Sequence, residues 1–323
     1  MNGGQTSARP AISKVALVGT GVIGRSWIQV FIRAGCQAAL YDREPAQIEK
    51  ALAWVEQDLE QDVQEGWIDS QEASARRDRI EVPGSLEEAL SGAGYIQESG
   101  PERTDLKRQV FEEIDRIAEP DAILASSTSS LNMTEITSDL PGAHRCIVAH
   151  PFNPPHMIPV VEIVPGDRTD PGKVEAAYTF LSSVGQKPVT MKFHLTGFLG
   201  NRMQVALIRE ALNLVKSGAA DIDAIDAVVS DGLGLRWALM GPFGVASTNA
   251  DTGVREYYTR YQQTYIDLMD ALAPTPAFDA ELIEEIGKAT DEMFADTSLG
   301  DVRRWRDQMI RKLVRLKQET PQP

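Results

Sequence analysis

Cysteine is scarce. The 323 residues hold only Cys36 and Cys146, at no spacing that would ligate a metal and with no disulfide to invoke. Both lie in apolar, strand-like surroundings and read as buried thiols. No apolar run reaches the length of a membrane span, which excludes a membrane helix. The opening stretch MNGGQTSARPAIS lacks the apolar centre of a signal peptide and reads as a frayed tail on a cytoplasmic protein. Positive charge is also short: 32 Lys and Arg stand against 47 Asp and Glu, a net charge of −15. Such a surface repels nucleic acid and anionic lipid at long range, so neither is an expected partner. An anionic ligand must therefore meet a local cluster of positive charge. Internal repeats and low-complexity tracts are absent. What remains is a chain 42% hydrophobic, long enough for two domains with real cores.

The chain is organised around residues 14–42, KVALVGTGVIGRSWIQVFIRAGCQAALYD. Val15-Ala16-Leu17-Val18 is short enough to be one buried parallel strand. Gly19, Gly21 and Gly24 follow in the order G-T-G-V-I-G. An amphipathic run then carries Trp27, Val30, Phe31 and Ala34 and stops at Gly35, a helix C-cap signal. A second apolar strand ends on Asp42. A lone G-x-G-x-x-G is weak. Between a strand and a helix, with an acid about 20 residues on, it is a dinucleotide fingerprint. Gly19 allows the tight turn, Gly21 lets backbone approach a pyrophosphate, and Gly24 lets helix pack on strand. The helix N-terminus then offers its unpaired N–H groups to the phosphates. Asp42 can accept both ribose hydroxyls and would repel a 2′-phosphate, which predicts NAD over NADP.

The apolar spacing of Ile48, Leu52, Val55, Leu59 and Val63 predicts a long helix between the second and third strands. With the segment up to Arg79 it forms a helical hairpin inserted beside the cofactor site, either a structural excursion or a substrate lid. Short strands then alternate with helices: 79–82, 95–98, 122–125, 145–149, 160–164 and 188–191 are the predicted strands. Ligands in open α/β sheets bind beyond the carboxyl ends of the strands. Glu98, the polar run 126–130 and residues 150–153 all fall at such ends. From Thr196 the strands stop, and helices are predicted over 198–216, 222–230, 255–272, 278–294 and 301–317. The expected fold is α/β: a Rossmann-type, doubly wound, mostly parallel sheet over 1–194 with the hairpin insertion, then an all-α domain over 195–323.

A strand ending at His150, a Pro-rich turn and a returning strand can bring His150 face to face with Glu162. A buried carboxylate beside an imidazole fixes its tautomer and stabilises the protonated form, which makes a general base. On spacing alone His144 and His156 remain rivals, His144 reading as a solvent-facing residue at a strand start; His194 falls at the domain junction and reads as structural.

Four stretches carry a resemblance: S-S-T-S-S-L at 126–131, A-H-P-F-N-P-P at 149–155, V-V-E at 160–162 and T-G-F-L-G-N-R at 196–202. The chain resembles the L-3-hydroxyacyl-CoA dehydrogenase family from Lys14 over nearly its whole length. Residues 21–27, 96–98, 146–151 and 232–237 are similar, more narrowly, to its lambda-crystallin branch, which acts as L-gulonate 3-dehydrogenase. The resemblance implies that His150 is the catalytic base and Glu162 its partner. It implies that Ser129 and Asn201 hydrogen-bond the substrate oxygen. For NAD it implies contacts from Val22, Ile23, Asp42, Glu102, Lys107 and Asn153. Without it, Glu102 and Lys107 would read as a solvated helix face. No metal is implied.

Arg236, in G-L-G-L-R-W on a glycine-rich loop after a helix, offers a planar guanidinium to a free carboxylate. The alternative is a helix cap or a surface ion pair. The expected substrate is thus a small anionic 3-hydroxy acid, L-gulonate first, ahead of a CoA ester or L-carnitine. A non-catalytic, crystallin-like NAD-binding protein is a further alternative, opposed by the intact Ser129, His150, Glu162 and Asn201 set. Trp305, Met309, Leu313 and Leu316 share one face of the last helix, which predicts packing on that face and a basic solvated back. The resemblance implies a homodimer formed through the helical domain.

Overall fold

The computed structural model describes residues 10–320 and divides into two compact units, Met1–Leu199 and Gly200–Pro323. The expected frayed tail falls mostly outside the described residues.

The first unit opens with β1 (Lys14–Val18), α1 (Val22–Arg33) and β2 (Gln37–Tyr41). The predicted hairpin follows as α2 (Pro45–Gln64) and α3 (Ser70–Arg77). Then come β3 (Ile80–Glu81), α4 (Leu86–Leu90), β4 (Tyr95–Glu98), α5 (Thr104–Ile117), β5 (Ile123–Ser126) and α6 (Met133–Ile136). β6 (Cys146–Pro151), β7 (Val160–Pro165), α7 (Pro171–Ser183) and β8 (Lys187–Thr190) complete it. The eight strands form one sheet in the order β3-β2-β1-β4-β5-β6-β7-β8. All neighbouring pairs are parallel except β6 and β7. The chain leaves β1 toward β3 and returns to β4 on the other side of β1. That reversal opens a crevice at the strand ends, where ligands bind in such sheets.

Helices cover both faces because successive strand residues point to opposite sides. Val15 and Leu17 join a core with Trp27, Phe31, Val55 and Phe180 from α1, α2 and α7. Ala16 and Val18 join the other core with Phe111 and Ile114 of α5. Cys36 and Cys146 are both fully buried and free.

The second unit is helical: α8 (Gly200–Lys216), α9 (Ile222–Ala227), α10 (Gly234–Trp237), α11 (Pro242–Thr248), α12 (Val254–Ala271), α13 (Ala280–Met293) and α14 (Leu299–Glu319). Two expectations are corrected here. The second predicted helix does not stop at Gly232. A π-helical turn, Val228–Leu233, joins α9 to α10, so Arg236 lies on a helix and not on a glycine-rich loop. The turn brings the Val229 carbonyl to 2.5 Å from where a Gly234 Cβ would sit, so glycine is used for closeness within the helix. α14, in turn, buries none of its residues: Trp305, Met309, Leu313 and Leu316 all stay exposed.

Candidate active site

Gly19 follows β1 with φ +94°, a left-handed conformation that favours glycine. A Cβ on it would lie 2.8 Å from the carbonyl carbon of Ser99, and one on Gly24 would collide with the Gly19 carbonyl. A Cβ on Gly21 would meet nothing within 4 Å. The strand-end backbones and the start of α1 therefore close up, while Gly21 stays open to an incoming group. α1 has no side-chain cap, so its first N–H groups remain available to an anion. Beside them lies a cavity of about 510 Å³ lined by Gly19, Gly21, Asp42, Ser99 and Gly100, among others. Its glycine floor and terminal carboxylate fit a dinucleotide. Val22 is exposed and Ile23 half-buried at the start of α1, and Asn153 is exposed in the Pro-rich turn.

Asp42 is already engaged by the chain. Its Oδ2 accepts from Thr20 N at 2.8 Å and Thr20 Oγ1 at 3.0 Å, and its Oδ1 accepts from Glu44 N at 3.0 Å. A carboxylate offers about four acceptor positions, so one, on Oδ1, remains for a ribose hydroxyl.

Glu98, Glu102 and Lys107 tie the neighbouring loops together. Lys107 is buried, not on the solvated face that its charge suggests. Its Nζ donates to both Glu98 carboxylate oxygens at 2.8 Å and to the Gly100 carbonyl at 3.2 Å. Glu98 also accepts from Gly100 N and Ser126 Oγ, each at 2.6 Å. Glu102 Oε1 caps the polar run, accepting from Thr128 Oγ1, Ser129 N and both Ser130 N and Oγ at 2.6–3.1 Å. Ser129 is thereby set, exposed, beyond the end of β5.

The histidine rivals separate by geometry. β6 and β7 run antiparallel with His150 directly opposite Glu162. Both are buried, and His150 Nδ1 lies 2.8 Å from Glu162 Oε2. An ionised carboxylate only accepts, so Nδ1 carries the proton and Nε2 keeps its lone pair. Glu162 Oε1 accepts from Leu199 N at 2.8 Å. That N–H is delivered by Phe198, a fully buried residue at φ +49°, whose ring sits 5.4 Å from the imidazole. A non-glycine residue in this region is strained and is held there by its surroundings. His144 is exposed, His156 packs edge-on against Trp54, and His194 stacks edge-on against Phe198.

Ser129, His150 and Glu162 thus belong to neighbouring strand ends of the first unit. Asn201 and Arg236 belong to the second, on α8 and α10. Phe198, the Leu199 N–H and the Glu98–Lys107 pair went unread in the sequence. Only Lys107 left a trace there, at the helical spacing of Phe111 and Ile114. Among the described residues, no group of three His, Cys, Asp or Glu could hold a metal ion, and no helix is long and apolar enough to cross a membrane.

Comparison with known proteins agrees with this layout. Residues 14–193 match the family described as 3-hydroxyacyl-CoA dehydrogenase, NAD binding domain, and residues 197–297 match its C-terminal domain. Lambda-crystallin of Oryctolagus cuniculus is 36% identical over 315 residues, covering 97% of this chain and 98% of that protein. An L-carnitine dehydrogenase of Pseudomonas putida is 34% identical, covering 93% and 92%. Among solved structures, an NAD+-dependent dismutase, 5-formyl-3-hydroxy-2-methylpyridine 4-carboxylic acid 5-dehydrogenase, superposes with a TM-score of 0.73 at 26% identity, covering 95% of this chain and 97% of its own. This chain, with its dinucleotide cleft, therefore belongs to the 3-hydroxyacyl-CoA dehydrogenase family and is an NAD-dependent oxidoreductase.

Proposed function

We propose that the protein oxidises the 3-hydroxyl of a small free L-3-hydroxy acid, with L-gulonate, giving 3-dehydro-L-gulonate, the favoured substrate. NAD, when bound, supplies the hydride acceptor. His150 Nε2 takes the hydroxyl proton as C3 loses its hydride, and Glu162 stabilises the imidazolium through Nδ1–H. Ser129 and Asn201 hydrogen-bond the reacting oxygen. In reverse, protonated His150 gives its proton to the oxygen of a 3-keto acid.

The observation that carries the choice of a free acid is the state of Arg236. It is exposed, and no ion pair or side-chain hydrogen bond engages its guanidinium among the described residues. In a chain of net charge −15 this cation is open to a carboxylate, with neither an ion pair nor a cap occupying it among the described residues. The near-full-length similarity to lambda-crystallin supports the same reading. A charge-assisted hydrogen bond contributes about 1.5–3 kcal/mol. Arg236→Ala should therefore lower kcat/KM for L-gulonate by roughly 10–150-fold and leave NADH affinity unchanged. The same assay on L-carnitine, 3-hydroxybutyrate and 3-hydroxybutyryl-CoA tests the skeleton. Preference for the CoA ester, with kcat/KM unmoved by Arg236→Ala, would refute the free-acid reading.

The proposal extends to a cytoplasmic homodimer formed through the helical unit. The exposed apolar side chains of α14 support it, and sedimentation of the purified protein as a monomer would refute it.

A further inference from the structure

Ser99 follows β4 on the wall of the dinucleotide cleft, and its Oγ lies 2.9 Å from Ser127 Oγ. Distance alone leaves open which hydroxyl donates. The neighbours decide it. Trp27 Nε1, which can only donate, is 3.1 Å from Ser127 Oγ. Gln97 Nε2 is 2.7 Å from the same oxygen. Its second hydrogen bond, to the Ala149 carbonyl at 3.4 Å, fixes the amide orientation because a carbonyl only accepts. Tyr95 OH completes the arrangement by donating to Gln97 Oε1 at 2.7 Å. A serine oxygen has two lone pairs, and on Ser127 both are taken. The Ser127 proton must go to Ser99.

Ser99 is then an acceptor toward the interior, and its own proton must leave in another direction. No described residue receives it. The relay behind it is rigid: Trp27 and Tyr95 are fully buried in an aromatic cluster with Phe31 and Phe180. The Ser99 backbone also presses against Gly19, at the loop where the start of α1 opens.

We propose that Ser99 is a cofactor-binding residue, a hydroxyl fixed as donor by Trp27, Gln97 and Ser127 and directed at the pyrophosphate of NAD. A phosphate oxygen can only accept, which matches a hydroxyl whose proton finds no acceptor among the described residues. The position beside the uncapped N-terminus of α1 favours the anion as well.

Calorimetric titration of the full-length protein with NADH and with ADP, in the absence of substrate, tests this independently of the substrate assignment. A hydrogen bond to a charged group implies that Ser99→Ala raises Kd about tenfold or more for both ligands. Ser99→Cys, similar in size but a weak donor, should behave like Ser99→Ala. Ser127→Ala should raise Kd by a smaller factor, about threefold, since Ser99 keeps its proton but loses its fixed direction. Melting curves of the ligand-free variants confirm that each is folded at the titration temperature. Ser99→Ala within twofold of the parent for NADH would overturn the proposal. So would wild-type affinity in Ser99→Cys, or a loss confined to NADH, which would move the contact to the nicotinamide half.

Discussion

Glu162→Gln separates the two tasks of the buried carboxylate because the substitution keeps its shape. Glu162 receives the His150 Nδ1–H on one oxygen and the Leu199 N–H on the other, each at 2.8 Å. A glutamine has only one oxygen for these two donors. If its carbonyl stays on Leu199, its NH2 group faces Nδ1 and drives the proton to Nε2, where it blocks the base. If the carbonyl turns to His150, Leu199 N–H faces another donor in a partly buried site, at a cost of up to about 1–3 kcal/mol. Either arrangement loses the charge that stabilises imidazolium. Turnover should fall by roughly 10²–10⁴-fold, the range of a positioned general base, while NADH binds normally. The melting temperature should fall by about 2–12 °C, since about 2–4 °C accompanies each kcal/mol in a unit of this size. NADH formation under saturating hydroxy acid, with a melting curve on the same sample, reads both effects. Turnover within threefold of the parent, together with normal NADH binding, would refute the arrangement.

His150→Ala should lower turnover by a similar roughly 10²–10⁴-fold with NADH affinity retained, and full activity would exclude it as the base. Lys107→Met strands a buried Glu98 carboxylate, which costs about 3–5 kcal/mol; thermal unfolding should show the loss and its partial recovery in Lys107→Met/Glu98→Gln. Asp42→Ala should narrow the preference for NAD over NADP in a two-cofactor rate comparison, by removing the charge that repels a 2′-phosphate. Burial pushes the Cys36 and Cys146 thiols from the ordinary 9.0 up to about 11 and about 12. Their thiols stay neutral in the native state while the unfolded chain ionises, so their contribution to stability is full below pH 9 and lost as pH rises through 11–12. Native protein at pH 8 should therefore resist alkylation that the unfolded chain accepts within minutes.

What was legible in the sequence is what local pattern controls. Residues 14–42 could be read because each signal, from apolar run to glycine to helix period to terminal acid, acts on its immediate neighbours. The His150–Glu162 contact could be read only with the resemblance, since spacing left rival histidines open; the antiparallel register of β6 and β7 is what sets the pair opposite each other. Lys107 shows the limit. Its spacing puts it on the buried face of α5 with Phe111 and Ile114, but its charge argues for solvent. The conflict is resolved by Glu98, which comes from another element. Gly232 reads as a helix stop, yet a π turn carries the helix past it and uses Gly234 to let a carbonyl approach. Phe198 carries no local signal for its left-handed backbone, and its ring packs 5.4 Å from the imidazole. The face of α14 that holds Trp305, Met309, Leu313 and Leu316 is apolar in period yet exposed, because periodicity reports that a face is apolar and not what covers it.

The inserted hairpin, on sequence alone equally a lid or a structural excursion, is settled by its attachment to the first unit. α2 buries Ile48, Ala51, Val55 and Leu59 in the core that holds Trp27 and Phe31. Gln29 of α1 donates to Asp58 at 3.0 Å and to the Val55 carbonyl at 3.4 Å, and the Arg25 guanidinium lies 4.6 Å from the centre of the Trp54 ring. Burying a Val, Leu or Ile side chain contributes about 1.5–3 kcal/mol, so three such residues resist lifting by about 5–9 kcal/mol. A lid must open at every turnover. With that cost the open state would hold less than about one molecule in a thousand, at about tenfold per 1.4 kcal/mol. The hairpin is a wall that braces α1 from outside, and α1 in turn carries Trp27, one of the two donors that set the direction of the Ser127 proton.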